Sequence, residues 1–121
     1  MVVVAAALVG AIIAPAAMAL NETCAATPCK GTNHKDRLFE RKGNGVNDNI
    51  YGLGGKDTIR ASRYGHDRDR VYGGSGNDFI DTRDGDSKDK IDAGPGKDRC
   101  VVDGVEALSN KIKNCESITT S

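Results

Sequence analysis

The sequence predicts an all-β fold, a parallel two-sheet solenoid built from strands of about three residues. Two observations carry that expectation. The first is a phase in the aspartates. Each Asp that follows Lys, Asn or Arg and stands two positions before an apolar residue or Cys falls in one series: Asp36, Asp48, Asp57, Asp69, Asp78, Asp89 and Asp98. Successive members lie 12, 9, 12, 9, 11 and 9 residues apart, so alternate members lie 21, 21, 21, 20 and 20 apart. Self-similarity at a fixed period marks a repeat architecture, and the alternation makes the repeating unit a pair of strands. The second observation is the loops, which alternate between a short glycine-rich kind and a longer, irregular kind.

The elements follow in chain order. Residues 1–20 carry no charge and are nearly all Ala, Val, Ile or Leu. Residues 1–19 read as a signal peptide, because small residues abound and Ala17-Met18-Ala19 resembles a peptidase site. An uncleaved anchor is the competing reading, since a basic n-region is missing. Either way the rest of the chain leaves the cytoplasm, and the signal reading implies no stable membrane insertion after cleavage. Residues 20–30 form a cap. Four cysteines in an exported chain favour two disulfides, and their clustering at the ends pairs Cys24 with Cys29 and Cys100 with Cys115. Zinc is a poor alternative, with only His34 and His66 to help and no CxxC spacing.

Residues 31–101 carry the repeats. In runs such as "DTI" and "DFI" the middle residue points outward and the apolar one inward. The inward set is Leu38, Ile50, Ile59, Val71, Ile80, Ile91 and Cys100. Strands alternate between the two sheets, so every second loop shares an edge. One edge receives "GTNHKD", "GLGGKD", "GGSGND" and "AGPGKD"; the other receives "RKGNGVND", "ASRYGHDRD" and "TRDGDSKD". Tyr51 and Tyr72, 21 residues apart, should stack on an outer face. Residues 102–121 form a second cap, and Ile112, 21 after Ile91, adds a partial coil that covers the sheet end.

"GGSGNDFID" matches the nonapeptide GGxGxDxUx at every defined position, and "GLGGKDTIR" and "AGPGKDRCV" each depart at one leading glycine. On these residues the chain resembles the secreted calcium-binding proteins of the repeats-in-toxin (RTX) family. The resemblance implies a right-handed parallel β-roll with several Ca2+ ions in its turns, bound by turn aspartates and backbone carbonyls. The carbonyl candidates are those of Gly52, Gly54, Gly73, Ser75 and Gly94.

The chemistry agrees. Calcium takes about six to eight oxygen ligands at about 2.3–2.6 Å in a tolerant geometry, whereas Mg2+ demands strict octahedral order. One turn cannot complete that shell, but the next turn of the same edge, about 4.8 Å away, supplies the remainder. Asp36, Asp57, Asp78 and Asp98 form one ladder on the short-loop edge; Asp48, Asp69 and Asp89 form the other. The short-loop edge is expected to bind more tightly. It keeps Gly two residues before the Asp at Gly55, Gly76 and Gly96, where the long-loop edge has Val46, Asp67 and Ser87. "DGDSKD" is no EF-hand, because its sixth position is not Gly and Pro95 holds the twelfth.

Lys plus Arg number 17 and Asp plus Glu 17, so no net field draws nucleic acid or anionic membrane. No HExxH or GxSxG motif is present, and neither histidine has a motif partner, so no enzyme is expected. The outward residues Arg37, Thr58, Phe79 and Arg99, and Asn49, Arg70 and Lys90 opposite, are irregular, which argues against a lattice-matching surface. The expected function is a secreted, non-catalytic calcium-binding module that folds with its ions. An extracellular adhesive or surface-interaction module with purely structural calcium is the alternative, its protein or surface partner unidentified.

Overall fold

The computed structural model describes residues 18–41, 43 and 45–121; the leader segment expected at residues 1–19 lies almost wholly outside them. The described strands, in order, are β1 (Asn21–Thr23), β2 (Cys29–Lys30), β3 (Arg37–Phe39), β4 (Asn49–Tyr51), β5 (Thr58–Arg60), β6 (Arg70–Tyr72), β7 (Phe79–Asp81), β8 (Lys90–Asp92), β9 (Arg99–Val102), β10 (Ile112–Lys113) and β11 (Ser117–Thr120). Odd-numbered strands make one sheet, in the order β1-β3-β5-β7-β9-β11, and even-numbered strands the other, β10-β8-β6-β4-β2. Every pairing is parallel. The fold is the all-β parallel two-sheet solenoid that the aspartate phase predicts.

Register follows from the apolar period. Leu38, Ile59, Ile80 and Cys100 align across one sheet, and Cys29, Ile50, Val71, Ile91 and Ile112 across the other. A slip by one residue would turn the whole apolar column to solvent, so burial fixes the pairing. All nine of these residues but Ile112 are buried, and Ile112 packs against them. The core is therefore two single-file columns, widened by Cys24, Ala61, Ala93 and Val102, with Leu20 packed against it.

The strands start one residue later than a "DTI" reading suggests. Each ladder aspartate sits just outside its strand, but its carbonyl still accepts from the next coil: Thr58 N–H to Asp36 O at 2.9 Å, Phe79 N–H to Asp57 O at 2.8 Å and Arg99 N–H to Asp78 O at 2.9 Å. The parallel ladder thus runs on into the turns. Both terminal segments also join the sheets: β1 and β2 pair with β3 and β4, and β10 and β11 with β8 and β9.

Each end is stapled. Cys24 bonds Cys29 and Cys100 bonds Cys115, with Cα atoms 5.5 and 6.0 Å apart. Cys100 spends its inward position on this bond and so ties the last coil to the tail, across a loop that contains a 3-10 turn at Glu106–Leu108. Tyr51 and Tyr72 stack as expected, with ring centroids 4.7 Å apart and planes 6° from parallel.

Candidate metal centre

Past the first rungs, each ladder aspartate uses one oxygen to hold the coil before it. On the short-loop edge Asp57 Oδ1 accepts the Asp36 N–H at 2.8 Å, Asp78 Oδ1 the Asp57 N–H at 2.9 Å, and Asp98 Oδ1 the Asp78 N–H at 2.7 Å. On the long-loop edge Asp69 Oδ1 accepts the Asp48 N–H at 2.7 Å and Asp89 Oδ1 the Asp69 N–H at 2.8 Å. The phase of the aspartates is thus the phase of a hydrogen-bonded column in which every carboxylate is aimed by a backbone amide.

The columns end on glutamates. Glu116 Oε2 accepts the Asp98 N–H at 2.7 Å, and Glu106 Oε1 accepts the Asp89 N–H at 2.8 Å. A pattern restricted to aspartate misses both. "ESI" and "EAL" are the same acid-x-apolar unit with a longer side chain, 18 and 17 residues after the previous rung. The extra methylene spans the tighter closing turn.

The second oxygen is the informative one. Oδ2 of Asp57, Asp69, Asp78, Asp89 and Asp98 is buried and has no hydrogen-bond partner among the described residues. Leaving a buried polar atom unpaired costs about 1–3 kcal/mol, and more when it is charged. The two first rungs differ. Asp36 accepts from Leu20 N at 2.6 Å, Thr32 N at 2.5 Å and Thr32 Oγ1 at 3.0 Å, and Asp48 accepts from Arg41 through both its backbone N and its Nε. Their oxygens are saturated by the chain, so the seven aspartates of the sequence pattern divide into two protein-capped rungs and five open ones.

At Asp57 and Asp78, glycine makes the space that the open oxygen faces. A Cβ on Gly73 would meet Asp78 Oδ2 at 2.6 Å and Ala93 O at 2.5 Å, and one on Gly52 would meet Asp57 Oδ2 at 2.5 Å as well as Gly73 O. Each cradle is thus flanked by the carboxylate of its own turn and a carbonyl of the next coil. Of the expected carbonyls, those of Gly52 and Gly73 adjoin ladder carboxylates; Gly54 and Ser75 are bridged to each other across coils, and Gly94 packs over Gly74 O. Ala93 O joins the set, a position that a search for Gly or Ser carbonyls passes over.

Gly76 is required by geometry, with φ at +121° and the Gly55 carbonyl oxygen where its Cβ would be. Gly76→Ala should lower stability by at least the strained-backbone cost of about 1–3 kcal/mol. Gly104→Ala, where a Cβ meets nothing within 4 Å, is the control. Thermal unfolding in calcium checks this: equal midpoints for the two variants would contradict the packing described.

Burial lifts the open carboxylates out of their usual range. It raises Asp57 to about 7, Asp78 to about 6, Asp69 to about 8 and Asp89 to about 9, with neighbouring carboxylates adding to the effect and the aiming amides opposing it. Asp98 and Glu106 are raised as well, again chiefly by burial. An array of buried, oxygen-only donors with stacked negative charge is what a hard dication fits. Asp57, Asp78 and Asp98, with the carbonyls of Gly73 and Ala93, could hold calcium on the short-loop edge; Asp69 and Asp89 could on the other.

Residues 42–63 match the family model of the RTX calcium-binding nonapeptide repeat, described as four copies. That stretch of the solenoid is similar to the RTX repeat. The matched stretch covers one long loop, β4, the "GLGGKD" turn and β5, so it holds one turn of each edge. No curated protein and no solved structure matches the chain. That likeness, set in a parallel two-sheet solenoid, supports a calcium-binding β-roll.

The long-loop edge departs from the nonapeptide, and its position two before the ladder Asp is held by Val46, Asp67 and Ser87. At the middle coil that substitution adds a buried carboxylate where the short-loop edge has Gly76. The two edges therefore offer different ligands, carbonyls and one carboxylate on one side, clustered carboxylates on the other.

Proposed function

We propose that this protein is a secreted calcium-binding β-roll without catalytic activity, whose folding is coupled to calcium binding at both turn edges. The observation that carries the reading is the set of five buried aspartate oxygens without a hydrogen-bond partner among the described residues, two of which, at Asp57 and Asp78, face glycine-lined cradles. The ions stack the coils by replacing repulsion between successive carboxylates with shared coordination. Secretion is supported by the apolar leader and by the two disulfides. The mature chain should begin near Leu20 in the culture medium; recovery from membranes with Met1 retained would favour an anchor instead.

Asp78→Asn tests the site itself. Asn keeps an oxygen for the Asp57 amide and replaces only the open Oδ2. Calcium affinity should fall at least tenfold, about 1.4 kcal/mol, in an isothermal titration of the mature protein. Unchanged affinity would overturn the assignment of the short-loop turns.

A further inference from the structure

Beyond the two ladders, the long loops bring together a cluster of carboxylates that no turn motif accounts for. Glu40, Asp67 and Asp69 place one oxygen each within 4.8 Å of one another, and so do Asp67, Asp84 and Asp86. Asp67 belongs to both groups. It is 2 % exposed, and both of its carboxylate oxygens are without a hydrogen-bond partner among the described residues.

The surrounding carboxylates each commit one oxygen to a backbone amide. Glu40 Oε1 accepts from Tyr64 N at 3.0 Å and from Arg63 N; Asp69 Oδ1 accepts from Asp48 N; Asp84 Oδ1 accepts from Asp86 N at 3.0 Å; Asp86 Oδ1 accepts from Lys88 N at 2.9 Å. The other oxygen of each, Glu40 Oε2 and the Oδ2 atoms of Asp69, Asp84 and Asp86, is buried without a hydrogen-bond partner. Lys88 Nζ stands 3.3 Å from Asp86 Oδ2 and is the one cationic side chain in salt-bridge contact with the cluster among the described residues. Five carboxylates against one ammonium leave a large uncompensated charge, most of it out of water. A backbone amide holds one oxygen of each of the four surrounding carboxylates and leaves the other free, and Asp67 belongs to both groups.

We infer that the long-loop edge holds a two-ion calcium cluster bridged by Asp67, with Glu40 and Asp69 completing one ion's carboxylates and Asp84 and Asp86 the other's. A carboxylate with two free oxygens can ligate one cation with each, and bridged metals of this kind sit about 3.5–4 Å apart. The donor set is all oxygen, with no imidazole or thiolate among these ligands, which selects a hard dication over zinc or copper. Irregular loops suit the tolerant shell of calcium better than the strict octahedron of magnesium. The cluster deepens the calcium reading, sharing Asp69 with the long-loop ladder but resting otherwise on residues outside the nonapeptide turns.

Native mass spectrometry of the disulfide-bonded protein at saturating calcium tests the bridge. Asp67→Asn should bind two ions fewer than the unsubstituted protein, while Glu40→Gln and Asp84→Asn should each bind one fewer. Loss of no ion or one ion in Asp67→Asn, or no loss in the other two, overturns the cluster. Should Asp67→Asn not fold, the unsubstituted protein loaded with Mn2+ decides by electron paramagnetic resonance. An exchange-coupled pair supports the bridge, and only isolated ions overturn it. Asp78→Asn separates the two levels: lower affinity there with intact counts in the Asp67 variant leaves the turn sites standing and removes the cluster alone. Absence of any bound calcium in the unsubstituted protein removes both.

Discussion

Removing calcium at neutral pH should convert the folded chain into a largely disordered one. The core consists of two apolar columns one residue wide, with buried aspartates stacked coil on coil beside it. A ligand that binds only the folded state stabilises it by about 2.7 kcal/mol per site at a hundredfold excess over Kd. Five open rungs at that figure would match the whole stability of a typical domain, about 5–15 kcal/mol. The disulfides cannot replace the ions, because Cys24–Cys29 and Cys100–Cys115 close separate local loops and leave the central coils uncrosslinked. Circular dichroism and hydrodynamic radius, with chelator and after restoring millimolar calcium, should report loss and recovery of β-structure together. A spectrum unchanged in demonstrably metal-free protein would show that the coil stands without its ions.

Acid should be the condition under which metal-free protein keeps most of its coil. Burial raises the carboxyls of Asp57, Asp69, Asp78, Asp84 and Asp89 from an ordinary 3.8 to between about 6 and about 9 in the fold. A group whose folded value is raised binds its proton more tightly folded than unfolded. Its stabilising contribution is therefore complete below the unfolded value, near 3.8, and is lost as pH rises through the folded values. Metal-free β-structure should accordingly decline between about pH 5 and pH 9. Calcium displaces the same protons, so its apparent affinity should rise over that interval and its binding should release protons. Metal-free protein that gained β-structure on going from pH 5 to pH 8 would contradict the sign of these shifts.

The architecture was readable because one side-chain type marks every coil. Asp at a fixed offset from an apolar residue sets both the inward column and the hydrogen-bonded ladder, so the 20- and 21-residue spacings translate directly into parallel register. What the spacing did not disclose depends on how loops of different coils meet. Thr32 and Arg41 saturate the first rungs from within their own turns, which the pattern at Asp36 and Asp48 does not distinguish from an open site. Asp67, Asp84 and Asp86 stand in unequal loops, outside the aspartate phase. Their convergence follows only when the loops of adjacent coils are stacked. Glu106 and Glu116 close the columns with glutamate, and the longer side chain hides them from an aspartate period.

The central claim is that calcium occupies the space facing the open aspartate oxygens. Anomalous diffraction from crystals of the calcium-loaded protein, with Tb3+ exchanged in to strengthen the signal, tests it most directly. The account predicts peaks in coordination distance of Oδ2 of Asp57, Asp78 and Asp98, shared with turn carbonyls of the following coil, and further peaks at Asp69 and Asp89. Density in which those five oxygens bond only water or protein donors, with no anomalous peak beside them, would contradict it.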